Sequence, residues 1–235
     1  MTAQTIDPVT SRATRGRLSV LRNSILMAGA FAVVTTSVAC NLTGTRGEGP
    51  VKTETRTVGA FSRIETSAGI GISVQIGPAG TLEVRAQESI LPNILTEVVN
   101  GTLRLHSADT YTTSEKVEVV VATPNLAGVV MSGGSVGRIE GLREGTLDIE
   151  LSGGSRLTAI GEATDLALGV TGGSVATLDG LSTRTIKVDG SGGSRATVQA
   201  SERVEGSASG GTSITVIGDA ELSVVTTGAS SVGRG

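Results

Sequence analysis

Over the second half of the chain, apolar and polar residues alternate in short runs, and the runs recur. Ala127, Val129 and Met131 are followed at matching positions by Leu147, Ile149 and Leu151, by Leu166, Leu168 and Val170, and by Ile186, Val188 and Gly190. Val204, Gly206, Ala208 and then Leu222, Val224, Thr226 continue the series. Spacing of two predicts strands with one buried face. Each run ends in a tetrad: Ser132-Gly133-Gly134-Ser135, Ser152-Gly153-Gly154-Ser155, Thr171-Gly172-Gly173-Ser174, Ser191-Gly192-Gly193-Ser194, Ser209-Gly210-Gly211-Thr212, and a degenerate Thr227-Gly228-Ala229-Ser230. Successive tetrads start 20, 19, 20, 18 and 18 residues apart. Beyond each of the first five the alternation resumes, as Gly137/Ile139, Leu157/Ala159, Ala176/Leu178, Ala196/Val198 and Ile214/Val216.

One unit therefore reads as strand, glycine corner, strand, return. Such a unit cannot bury its apolar face alone, whereas units stacked about 4.8 Å apart share a continuous narrow core. The expected fold is all-β: a right-handed single-stranded β-helix, or a closely related two-sheet solenoid, of stacked repeats of 18–20 residues with Ser-Gly-Gly-Ser corners. Leu147, Leu166, Ile186, Val204 and Leu222 are expected to form one inward column. Gly206 is expected in the core beside Ile214 and Val216.

The stretch from Val117 through Pro124 and Leu126 to the tetrad at Ser132, with Phe61–Glu65, Ile70–Ile76, Thr81–Ala86 and Ile90–Leu105 upstream, resembles the head GIN domain adhesin family. The resemblance covers about residues 55–235. It implies a fold like that of pectin lyases without catalytic residues, and a role in cell adhesion. Ser-Gly-Gly-Ser stands where the family more often shows Gly-Ser-Gly, a change expected to alter corner geometry and not the stacking.

The first forty residues read differently. Arg12, Arg15, Arg17 and Arg22 precede an apolar run, Ser24–Ala39, that is too short to span a bilayer as a helix. The run ends at Cys40, the single cysteine, and Val38-Ala39-Cys40 resembles the end of a bacterial lipobox, although Ser37 departs from its usual aliphatic residue. The expectation is a lipoprotein signal peptide at 1–39, lipidation of Cys40, a polar tether over 40–54 and the solenoid domain over 55–235, in an exported protein held on the cell envelope by its lipid. The other reading is an ordinary signal peptide, or a start codon set too early, with an incidental cysteine.

Composition narrows the function. Aromatic residues make up 1% of the chain and the net charge is −3, which argues against nucleic acid as a partner. One cysteine and one histidine, His106, exclude a disulfide and argue against a metal site or a cofactor, and His106 reads as a strand residue. Acids are expected two units apart in the columns Glu150, Gly169, Asp189, Ser207 and Glu140, Ile160, Asp179, Gln199, too widely spaced for a comfortable hydrolase pair. No catalytic residue is therefore assigned. Ser107–Ser114 reads as an exposed loop.

The candidate binding face is the outward side of the strand after each corner. One column reads Arg138, Thr158, Thr177, Thr197, Thr215, and its neighbour Val136, Arg156, Val175, Arg195, Ser213. Hydroxyls at strand spacing flanked by Arg156 and Arg195 are suited to sugars or carboxylates, although threonine also favours strands for its own sake. The expected function is a non-catalytic, surface-exposed module that binds a glycan or a surface protein. A structural or stress-related envelope protein without a ligand is the alternative, and a degenerate carbohydrate enzyme the more distant one.

Overall fold

The computed structural model describes residues 44–235; the expected signal peptide and Cys40 lie outside the described residues. Seventeen strands follow one another: β1 (Thr45–Arg46), β2 (Val51–Thr57), β3 (Arg63–Thr66), β4 (Gly71–Ile76), β5 (Thr81–Gln87), β6 (Ile94–Val99), β7 (Thr102–Ser107), β8 (Tyr111–Thr112), β9 (Glu118–Thr123), β10 (Gly128–Met131), β11 (Val136–Leu151), β12 (Arg156–Val170), β13 (Val175–Gly190), β14 (Arg195–Ala208), β15 (Ser213–Ile217), β16 (Glu221–Thr226) and β17 (Ser231–Arg234). One short 3-10 turn, Leu91–Asn93, is the only helical element among the described residues.

The pairing resolves into two ladders. The strand segments before the corners pair in parallel in the order β7, β3, β10, then the second halves of β11 to β14, then β16. Those after the corners run β9, β4, the first halves of β11 to β14, β15 and β17. This is a β-solenoid of about five turns. The column Leu147, Leu166, Ile186, Val204, Leu222 is in register, as the periodicity implies. All but Leu222 are buried. Small and large residues interlock across the core: a Cβ on Gly137 would lie 2.8 Å from both Met131 Sδ and Leu157 Cδ1, which fill that space.

The return is not a loop. β11, β12, β13 and β14 are 16, 15, 16 and 14 residues long and pass from one ladder to the other with a register irregularity at the bend. Backbone pairs such as Leu142 with Gly161 and Gly161 with Leu181 continue through it. The irregularity breaks the column expected through Glu140, Ile160, Asp179 and Gln199: Glu140 pairs with Gln75, and Gln199 with Ser182 and Ile217. The other acidic column, Glu150, Gly169, Asp189, Ser207, is in register.

Gly206 lies in the inward register opposite Val188 and Val224 but is only half-buried. Its constraint is the backbone: φ is +136°, and a Cβ there would sit 1.9 Å from the Val188 carbonyl oxygen. The expectation of a core packing position is corrected accordingly.

The N-terminal side departs most from the repeat. β2 pairs antiparallel with β5, β5 antiparallel with β9, and β6 antiparallel with β7, so both ladders end on that side in reversed strands. The tether expected over 40–54 is corrected from Gly44 onward. β1 pairs with β8, and β2 begins at Val51, so these residues belong to the folded unit.

Candidate functional site

The fourth residue of each tetrad anchors the corner from inside. Ser135, Ser155, Ser174, Ser194 and Thr212 are buried. Ser135 Oγ donates to the Ser132 carbonyl at 2.8 Å, Ser155 to Ser152 at 2.7 Å, Ser194 to Ser191 at 2.8 Å and Thr212 to Ser209 at 2.9 Å. Four corners thus satisfy their own inward hydroxyl, whereas Ser174 Oγ and, in the sixth tetrad, Ser230 Oγ have no partner. The corners set the register of the strands behind them and so align the outer face.

That face carries the residues singled out from the sequence. Thr158, Thr177, Thr197 and Thr215 are in direct register, with Arg138 paired to Thr158 at one end. Beside them Val136, Arg156, Val175, Arg195 and Ser213 form a second continuous column. The upstream strands extend both: Ser73 and Val120 continue the threonine column, Gly71 and Glu118 the arginine column. From β4 to β17 neither column contains an acid. Arg138 pairs with Glu140 at 2.5 Å, whereas Arg156 and Arg195 are exposed and make no ion pair among the described residues. The opposite outer face has another character, with Asp148, Glu150, Asp165, Asp189, Glu205 and Glu221 against Arg63, which pairs with Asp148 at 2.7 Å, Lys187 and Arg203.

At the β4 end the face runs into a groove of about 700 Å³ between Tyr111, Lys116, Glu118, Val136, Arg138 and Thr158. The loop expected to be exposed forms its far wall, and it is pinned. Thr45 N–H donates to Thr110 O at 2.9 Å and Gly47 N–H to Thr112 O at 2.7 Å. Tyr111 is half-buried and its hydroxyl donates to Ala68 O at 2.6 Å. Burial raises the phenol pKa above its ordinary value, so the group stays a neutral donor. Val136, 51% exposed, gives the groove an apolar floor. Sequence reasoning placed Tyr111 and Arg138 apart, and the fold brings them to one groove. The signal was the lone tyrosine in a chain almost without aromatics.

A second groove, about 1020 Å³, lies along the return edge near Arg143, Glu162, Ser182, Arg184 and Asp219. There Arg184 donates to both carboxylate oxygens of Glu202, at 2.8 and 3.0 Å. The hydrogen bond lowers the Glu202 pKa and raises that of Arg184. Both side chains are largely exposed, so the pair adds little stability. Among the described residues no three His, Cys, Asp or Glu side chains cluster as metal ligands would.

Residues 60–220 match the sequence profile of the family described as "Putative auto-transporter adhesin, head GIN domain". No curated protein gives a significant match. Among solved structures, the chain is similar to a "putative adhesin" from Bacteroides fragilis at 20% identity, with a TM-score of 0.66 over 81% of this chain and 100% of the other. A "putative adhesin" from Parabacteroides merdae aligns at 14% identity and TM-score 0.53, covering 82% and 99% of the two chains. A "putative lipid binding protein" from Parabacteroides distasonis aligns at 14% identity and TM-score 0.50, covering 82% and 99%. At these identities the likeness establishes the fold alone.

Proposed function

The chain belongs to the head GIN domain family, and from that premise we propose that it is a non-catalytic adhesion module of the bacterial envelope. In this reading Cys40 carries a lipid that holds the chain on the membrane, and the outer face with Arg138, Arg156 and Arg195 contacts a glycan or surface protein. The observation that carries the reading is the two in-register columns of threonines and arginines, free of acids from β4 to β17, that run into the Tyr111 groove. An evenly spaced face without a reactive pair suits holding a repetitive surface better than turning over a substrate.

Two measurements test it. A pull-down from envelope and cell-surface extracts with the full chain is expected to retain a partner that is lost when Arg138, Arg156 and Arg195 are changed together to Ser. Retention of nothing, with unchanged adhesion of cells lacking the protein, would leave a structural envelope role in its place. For the anchor, Cys40→Ser is expected to release the chain from membranes or block its maturation. A wild-type chain that fractionates as soluble and takes up no fatty-acid label would rule the anchor out.

A further inference from the structure

We propose that the face binds a linear polysaccharide in which a uronic acid alternates with a neutral sugar, laid along the solenoid axis with its neutral end in the Tyr111 groove. The inference rests on the adhesion reading and names its ligand. Arg156 and Arg195 occupy one column with Val175 between them, two rungs apart. At strand spacing that is about 9.6 Å, comparable to the length of an extended disaccharide. A polymer with one carboxylate per disaccharide therefore meets one guanidinium per repeat, and the intervening neutral sugars lie over Val175 and beside Thr158, Thr177 and Thr197. Guanidinium forks match carboxylates in shape as well as charge. The opposite face, rich in acids, repels the same polymer.

The groove sets both signs side by side, Glu115 and Glu118 with Lys116 and Arg138, and so suits an end without net charge. Glu118, which pairs onward with Arg85 of β5, adjoins the arginine column, and Gly71 between Glu118 and Val136 lowers the floor. The carboxylates of Glu115 and Glu118, both on the groove rim, accept from sugar hydroxyls and repel a further acid. Lys116 and the fixed Tyr111 complete the wall.

The probes are hyaluronan oligosaccharides from tetrasaccharide to dodecasaccharide, in which uronic acid and neutral sugar alternate, with dextran as the uncharged control. Titration calorimetry with the full chain is expected to show affinity rising with length until the strip is filled and falling with added salt. Arg156→Ser with Arg195→Ser, both at exposed positions, is expected to weaken the longest oligomers about five- to ten-fold and the tetrasaccharide, which reaches Arg156 but not Arg195, by less. Tyr111→Ala, checked for an unaltered unfolding transition, is expected to weaken all lengths. Should Tyr111→Ala shift that transition, Lys116→Ser, at an exposed position of the same wall, takes its place with the same expectation. Equal affinity for dextran, no dependence on length, no binding at all, or indifference to the double arginine change would each overturn the proposal. The adhesion reading would survive those results if the pull-down still returned a partner, since that measurement does not depend on the ligand being a uronate polymer.

Discussion

At the scale of the residue, the corners carry more information than their shared motif suggests. In the first three tetrads both glycines have positive φ, from +61° to +81°, and the fourth residue's N–H closes the turn onto the first residue's carbonyl. From the fourth tetrad on only the first glycine does: Gly192, Gly210 and Gly228 at +75°, +73° and +69°. Here the bonding changes, with Gly211 N–H donating to Gly192 O and Ala229 N–H to Gly210 O, both at 2.7 Å. The second position no longer needs a glycine, and the sixth tetrad has Ala229 there. Two substitutions in one motif should therefore differ. Gly173→Ala, at φ +81°, is expected to cost about 1–2 kcal/mol. Gly193→Ala, with open space around its Cβ position and no positive φ, is expected to be neutral or stabilising by up to about 1 kcal/mol. Denaturant unfolding of the pair decides it, and equal losses would refute the distinction.

Tyr111 offers a second test at this scale because it is the only tyrosine. Its phenol is raised by burial, so the folded state binds that proton more tightly than the unfolded state does. The associated stability is fully present below the unfolded pKa of about 10 and is lost as pH rises through the higher folded value. Phenolate absorbance should titrate at a higher pH in the native chain than in denaturant. Coincident curves would mean that the groove wall is open to water.

At the scale of the element, the repeat was legible because each stacked unit must present the same faces. Period-two spacing located the inward columns, the outward threonines and the corners without reference to any distant contact. What was missed lacks that periodicity. Ser67-Ala68-Gly69-Ile70 is a corner of the same kind, with Ala68 and Gly69 at φ +59° and +73° and Ile70 N–H donating to Ser67 O. A Cβ on Gly133 would touch Ala68 N at 3.1 Å, so the next tetrad stacks directly on it. Its sequence hides it, because Ala68 replaces a glycine and Ile70 the inward serine, and because the antiparallel strands β5 to β7 intervene before the next corner. The reach of β1 across to β8 is likewise a pairing between residues far apart in sequence, which no local pattern encodes. The long strands carry their own test. Gly206→Ala puts a methyl against the Val188 carbonyl and is expected to cost at least about 1–3 kcal/mol, far more than its half-exposure suggests. A thermal transition unchanged by this substitution would mean that the backbone there is less fixed than its φ implies.

At the scale of the whole molecule, stability should be graded along the axis. In a solenoid each unit is held mainly by its neighbours, so protection depends on how completely both sides are covered. The two flanks are covered unequally. On the N-terminal side the ladders are closed by β2–β5–β9 and β6–β7, and Ile64, Ile72 and Val74 beneath them are buried. On the other side β16 and β17 each pair along one edge only among the described residues, and Leu222, Val224 and Val232 are half-exposed, with Val225 at 66%. Their inward counterparts in β12 and β13 are almost wholly buried. Local opening should therefore begin at β16 and β17 and reach β12 and β13 only near the global unfolding free energy. Hydrogen exchange under native conditions reads this directly. Amides of β16 and β17 are expected to exchange first, those of β14 next, and those of β3, β4 and β9 as slowly as the central rungs. Exchange that begins equally from both flanks would mean that the antiparallel strands do not protect the N-terminal rungs, and would undercut the assignment of a fixed wall to the Tyr111 groove.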